Sequence, residues 1–235
     1  QDFVRTCTEK EIVVFDTETT GLNVFTDDIV QIAAVKIREG RVVEGSEFVV
    51  FIATDREIPS HLGDIVNPII EELKHNRQYP HDEALQMFLD YVGDDVLLGH
   101  NADYDYNILD RNLRRYCPGI DLHERFPQYF DSLKLMHLLE PDLKQYKLKA
   151  LLEIFHLHGE NSHLADADVE ATANVVAYCY ERARALLPAQ RAFMARDRVK
   201  TCAERLRRIY RDLFLDARRR LYTPCAEADR LPLVA

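Results

Sequence analysis

No run of apolar residues in this chain approaches the roughly 20 needed to cross a bilayer. Residues 1–10 are polar, so neither a membrane span nor a secretory leader is expected. Cysteine is sparse and lacks paired spacing. The five residues (Cys7, Cys117, Cys179, Cys202, Cys225) are odd in number and show no metal-type pattern. They fit reduced thiols in a cytoplasm better than a secreted disulfide scaffold. Internal repeats and low-complexity segments are missing, and so is a leading methionine. The chain opens on Gln1, which reads as a piece of something longer.

A surplus of basic charge is missing as well: the formal net charge is −10. The charge is unevenly spread, however. Residues 181–235 hold 14 Arg and Lys against 7 Asp and Glu, a net of +7, which leaves −17 on the residues before them. An acidic body carries a basic tail, and an acidic body still binds phosphates where its acids gather around cations. With 235 residues, 47% of them apolar and 30% charged, the chain is expected to be a soluble globular domain with an appendage.

Residues 11–17, 28–38 and 41–52 read as three strands, the last two joined by a tight hairpin at Glu39-Gly40. Residues 67–75 read as a helix. Pro80 introduces another over 81–91, with Leu85, Phe88 and Leu89 inward. A short buried strand over 95–100 hands over to a helix at 104–115. Phe130-Asp131 leads into a helix capped by Asp131 or Ser132 and stopped near Pro141. A short helix over 146–155 and a long one over 165–187, ended by Pro188, complete the body. Strands first, then strand–helix alternation, predict an α/β fold with a mixed sheet flanked by helices. Beyond Pro188 the chain reads as one or two Arg-rich helices, with Leu206, Ile209, Tyr210, Leu213 and Phe214 on one face. Its arginines suit either a nucleic-acid backbone or a solvated side.

The segment Ile12 to Gly21 carries the most chemistry. An apolar run leads into Asp16, Thr17 and Glu18. Residues i and i+2 of a strand share a face, so Asp16 and Glu18 project together, Thr17 points away, and Gly21 lets the backbone turn. Adjacent carboxylates repel unless a cation lies between them, and hard oxygen ligands suit Mg²⁺ or Mn²⁺. Two further segments add acids. In Gly99-His100-Asn101-Ala102-Asp103-Tyr104-Asp105, a strand end meets a helix start, a place where α/β folds bind ligands. Asp103 suits an N-cap there, and Asp105 would sit inside the helix. In His163-Leu164-Ala165-Asp166-Ala167-Asp168, Asp168 opens an apolar helix and Asp166 suits its cap. His163 is either a solvated loop residue or a general base. Asp16, Glu18, one acid of the second segment and Asp168 would together hold two ions roughly 3.5–4 Å apart.

The order and spacing of these segments resemble the DnaQ-like exonuclease superfamily with a DEDDh active site, over about residues 10–187. The D-x-E-T-T-G motif matches Asp16 to Gly21. H-N-x-x-F-D matches His100, Asn101 and Asp105, with Tyr104 in place of Phe, which selects Asp105 over Asp103. H-x4-D matches His163 and Asp168. The resemblance implies a ribonuclease H-like fold with a five-stranded mixed sheet, to which the helical extension over 188–235, read from its own pattern, would be appended. It implies Asp16, Glu18, Asp105 and Asp168 as metal ligands for two Mg²⁺ or Mn²⁺ ions, with His163 completing the catalytic set. It also implies Thr19, Leu22, His100 and Asn101 as substrate contacts, although Leu22 would equally serve as core and His100 as a packed helix-start residue. The activity implied is hydrolysis of the 3′-terminal phosphodiester of DNA, from single-stranded or frayed ends, releasing nucleoside 5′-monophosphates in proofreading or repair. Other readings are an exoribonuclease, or a non-catalytic nucleic-acid-binding module. Expected partners are a nucleic-acid 3′ end and a polymerase or helicase, in trans or on the same chain, with no membrane.

Overall fold

The computed structural model describes residues 2–59, 67–159 and 164–187. In chain order the elements are α1 (Asp2–Glu9), β1 (Ile12–Thr19), β2 (Ile29–Arg38), β3 (Arg41–Val42), β4 (Phe48–Ile52), α2 (Asn67–His75), β5 (Gln78–Tyr79), α3 (His81–Val92), β6 (Val96–Gly99), α4 (Asp103–Tyr116), α5 (Leu122–Arg125), β7 (Tyr129–Asp131), α6 (Ser132–Leu139) and α7 (Leu148–Phe155). A last helix, α8, occupies residues 165–187. No helix among the described residues is long and apolar enough to cross a membrane.

The strands form one mixed sheet in the order β5-β4-β2-β1-β6-β7, with β3 paired to β2. β1 runs antiparallel to β2 and parallel to β6. Its Ile12-Val13-Val14-Phe15 run is almost wholly buried, as a strand covered on both faces requires. The sheet has seven strands rather than the expected five, because β3 and β5 add two-residue ladders. The single strand expected over 41–52 is interrupted by a turn around Gly45, whose φ of 74° suits glycine. The hairpin at Glu39-Gly40 forms as expected, both residues having positive φ (50° and 74°) and so matching the twist of the strands they join.

Two elements depart from expectation. α1 forms from residues read as merely polar, because Phe3, Val4 and Cys7 share its buried side. α5 is nucleated by Asp121, whose side chain accepts from the backbone amides of His123 and Glu124.

Packing divides the side chains of β1 by parity. Val13 and Phe15 share a core with Leu85, Phe88 and Leu89 of α3 and with Ile108, Leu109 and Leu113 of α4. Side chains at even positions, Asp16 and Glu18 among them, lie on the opposite face, where α8 brings Asp168. The Arg-rich extension expected over 188–235 lies outside the described residues.

Candidate active site

Asp16, Glu18 and Asp168 each offer a carboxylate oxygen within 4.8 Å of the other two. β1 aims the first two through its two-residue period. Opposite Glu18 the register slips: Glu18 pairs with Gln31, but Thr19 pairs with Ile29. Such an irregularity bends the strand where it leaves the sheet and re-aims its side chains. Asp168 comes from the first turn of α8, its amide donating to the Leu164 carbonyl at 3.0 Å.

Asp105 comes from α4, on the Val13 and Phe15 face of β1, yet its charge acts on Asp16 ahead of those of Glu18 and Asp168. Its Oδ1 accepts from the Thr17 amide (3.1 Å) and the Thr17 hydroxyl (2.6 Å). The structure therefore gathers three of the four expected acids within 4.8 Å of one another and brings the fourth near Asp16 from the helix on the other face. The reason is parity: α4 packs on the face that Thr17 shares with Val13 and Phe15, while α8 packs on the face of Asp16 and Glu18.

The electrostatics follow from this crowding. Burial, then the charges of Asp105, Glu18 and Asp168, raise the Asp16 carboxyl well above its ordinary range. Burial, then Asp168, Asp105 and Asp166, push Glu18 up to about 8. Burial raises Asp105 to about 6 against the lowering effect of its Thr17 hydrogen bonds. Each carboxylate opposes the ionisation of its neighbours, a field that a cation would neutralise. The donor set is all oxygen, which fits a divalent ion of the Mg²⁺ or Mn²⁺ kind. The site's own chemistry thus passes the test of a metal centre.

The remaining expected residues divide. Thr19 and Tyr104 both donate their hydroxyls to the Gly21 carbonyl (2.7 and 2.8 Å). Tyr104, standing where the resemblance has Phe, thereby ties α4 to the end of β1. Leu22 is 76% exposed, so it is not core, and it lies on the loop that follows β1. Asn101 has a φ of 60°, and its amide donates to Asp131 at 3.0 Å. His100 is fully engaged by the fold. Its Nδ1 meets the Ser132 hydroxyl at 2.9 Å and its Nε2 the Tyr146 carbonyl at 3.0 Å, while burial lowers its pKa. These contacts give His100 the packed helix-start role that was the alternative to a substrate contact. His163 lies outside the described residues.

Two local expectations are corrected and a third is refined. Asp103 is not the N-cap of α4. Ala102 occupies that position, and Asp103 is exposed, pairing with Lys134 and the Tyr129 hydroxyl. Asp166 is not the cap of α8 but lies exposed within its first turn, adding to the negative field at Glu18. The backbone does bend at Gly21, but without the positive φ that calls for glycine, and a Cβ there would lie 2.6 Å from the Asp27 carboxylate.

Two contributors were missed. Thr17, which holds Asp105, gives no signal in the sequence, because the contact bridges 88 residues. Asp131 was seen only as a helix cap. It does accept from Leu133, and it also holds Asn101.

Known proteins add independent findings. The RNase_T family model, described as Exonuclease, matches residues 13–176. The DNA polymerase III PolC-type of Latilactobacillus sakei subsp. sakei is 36% identical over 162 residues, 69% of this chain but 11% of that polymerase. The PolC-type polymerase of Clostridium perfringens is 32% identical over 175 residues, 74% of this chain and 11% of its own. The chain thus spans about a tenth of the curated relatives it matches. Among solved structures, the E. coli Exonuclease I complex with a dT13 oligonucleotide superposes with a TM-score of 0.65 at 19% identity, covering 76% of this chain and 43% of that one. The ExoI/SSB-Ct complex gives 0.63 at 18%, covering 76% and 43%. At these identities the likeness shows a shared α/β fold.

Proposed function

We infer, from the premise that this chain belongs to the RNase_T exonuclease family, that it removes nucleotides hydrolytically from the 3′ ends of DNA. The observation that carries this reading is the cluster of Asp16, Glu18 and Asp168 at the end of a strand whose next residues form the open, Leu22-bearing loop. Such exonucleases depend on divalent metals, and we propose Mg²⁺ or Mn²⁺ held by these three residues, with Asp105 completing the set from across β1. A divalent ion bound there neutralises charge developing on the scissile phosphate.

The chain's own residues would do the rest. Thr17 fixes the Asp105 carboxylate by two hydrogen bonds. Thr19 and Leu22 position the terminal nucleotide, with Asn101 lining the approach. His163, five residues before Asp168, is proposed to take the proton from the attacking water, a role worth about 10²–10⁴-fold in rate. Nucleoside 5′-monophosphates would be released. The PolC-type relatives support a place beside or within a replicative polymerase, as a proofreading module working in the cytoplasm.

The test presents single-stranded DNA, 3′-recessed duplex and RNA, each 5′-labelled, to the protein with Mg²⁺ or Mn²⁺, with and without chelator. Shortening of DNA from the 3′ end, abolished by chelator and by Asp16→Asn, is expected. An inert wild-type protein, or one equally active with chelator, would overturn the reading.

A further inference from the structure

The loop after β1 presents two large apolar side chains to solvent, Leu22 at 76% and Phe25 at 65% exposure, yet its backbone is tied down throughout. Asp27 accepts from the Asn23 amide at 2.7 Å, and the Asn23 side chain accepts from the Phe25 amide at 3.0 Å. Arg115 of α4 donates to the Phe25 and Thr26 carbonyls at 3.0 and 3.3 Å and reaches Asp28. Asn112 donates to the Asp27 carbonyl at 3.2 Å. At the loop's two ends, Thr20 and Asp28 exchange hydrogen bonds of 2.9 and 3.0 Å.

The Phe25 ring is itself braced. The Arg111 guanidinium lies 4.9 Å from its centroid, a cation–π contact that holds one side of the ring. Leu22, Phe25 and the half-exposed Arg56, which also donates to Asp28 at 3.0 Å, line one open cavity of about 870 Å³ together with Thr20, Gly21, Asp27 and Glu57. Thr20 and Gly21 stand two and three residues after Glu18, so the cavity is built on the loop that leaves the carboxylate-bearing strand. A rigid aromatic face in water, backed by a cation and placed beside a second cation, has the chemistry of a base-stacking platform next to a phosphate contact.

We propose that Phe25, braced by Arg111, is the stacking platform of a second nucleotide subsite, taking a base of the retained single strand while Arg56 faces that strand's phosphate. The proposal rests on the exonuclease reading and extends it beyond the terminal nucleotide. Stacking recognises the face of any base, so the subsite holds single-stranded DNA without regard to sequence and selects for length. Substrates with no nucleotide beyond the scissile bond would leave the platform empty.

The experiment compares kcat/KM on a single-stranded 12-mer with kcat/KM on the p-nitrophenyl ester of thymidine 5′-monophosphate, in Mn²⁺, for wild type, Phe25→Ala, Phe25→Leu and Phe25→Tyr. The expected result is a 12-mer-to-ester ratio about tenfold lower in Phe25→Ala, the size of one base–aromatic stack. It should be carried by KM, restored by Tyr and not by Leu. An unchanged ratio in Phe25→Ala, or full restoration by Leu, would overturn the subsite. A wild-type protein inactive on both substrates would overturn the exonuclease reading instead. Because the side chain is largely exposed, the variants are expected to melt with the wild type, and a melting curve checks this.

Discussion

Two sets of acids, buried Asp28 and the cluster of half-buried Asp16 and Glu18 with buried Asp168, lie at opposite ends of the loop that follows β1, and they are treated in opposite ways. Asp28, 2% exposed, is surrounded by donors: Arg115, Arg56 (3.0 Å), the Thr54 hydroxyl (2.9 Å) and the Tyr116 hydroxyl (2.9 Å). Asp16, Glu18 and Asp168 face one another instead, and every charge acting on Asp16 or Glu18 raises its pKa. A carboxylate buried for structure is given its counter-charges by the fold. At Asp16 and Glu18 the fold gathers like charges instead, a field that a cation arriving from outside would balance.

The sharpest way to break this comparison is to neutralise one acid from each group. Asp16→Asn should cost at least about 10³-fold in kcat, roughly 4 kcal/mol of transition-state stabilisation, while leaving metal-free stability equal or higher, because a repulsion is removed. Asp28→Asn should do the reverse. It should lose about 3 kcal/mol of stability, since two arginines are left without their partner, with a smaller effect on turnover. Oligonucleotide hydrolysis and denaturant titrations in chelator read both arms, and a destabilised Asp16→Asn would undo the contrast.

His163→Ala should lower kcat by about 10²–10⁴-fold with metal binding retained, and should remove the rise of rate with pH across neutrality. A variant with the wild-type pH profile would exclude His163 as the base.

Stability against pH sharpens the comparison further. An acid whose folded pKa is raised favours the fold most when protonated. Its contribution is full below the ordinary carboxylate range and is lost as pH rises through the folded value. For Glu18 that window runs from about 4.5 to about 8. In chelator the protein should therefore weaken as pH rises through this range. Mg²⁺ should recover the loss most fully at the alkaline end, and Asp16→Asn should flatten the curve.

The smallest effect concerns Asp105, which stands between the two cases with one good partner and like-charged neighbours. Thr17→Val removes the 2.6 Å hydroxyl donor and keeps the shape. A hydrogen bond to a charged group is worth about 1.5–3 kcal/mol. Activity should therefore fall roughly tenfold or more, with the acid limb of the pH–rate profile moving up, because a bond that lowers the Asp105 pKa is gone.

Much of this architecture is legible in local pattern. The helix over 67–75 has the expected bounds, Leu85, Phe88 and Leu89 are fully buried, and Asp131 caps α6. Each depends on residues within one or two turns of one another. What local pattern misread or left open has the opposite character. Asp103 looked like a cap because its own neighbourhood allowed it, but Ala102 takes that position and Lys134, 31 residues on, takes the Asp103 carboxylate. Gly21 does stand at a bend, but what calls for glycine there is the room that Asp27 takes. His100 could be read either as a substrate contact or as a packed helix-start residue, and the partners of its ring nitrogens, Ser132 and Tyr146, lie 32 and 46 residues away.

The sequence by itself determined that Asp16 and Glu18 share a face, because a strand's period of two is set by its backbone and needs no other element. Tertiary structure alone decided that Asp168 meets them, that Asp105 comes from the helix on the other face of the strand, and that Asp28 is ringed by donors while Asp16 and Glu18 see like charges. Those outcomes depend on which helix covers which face of β1, and that choice is made by packing between segments far apart in the chain.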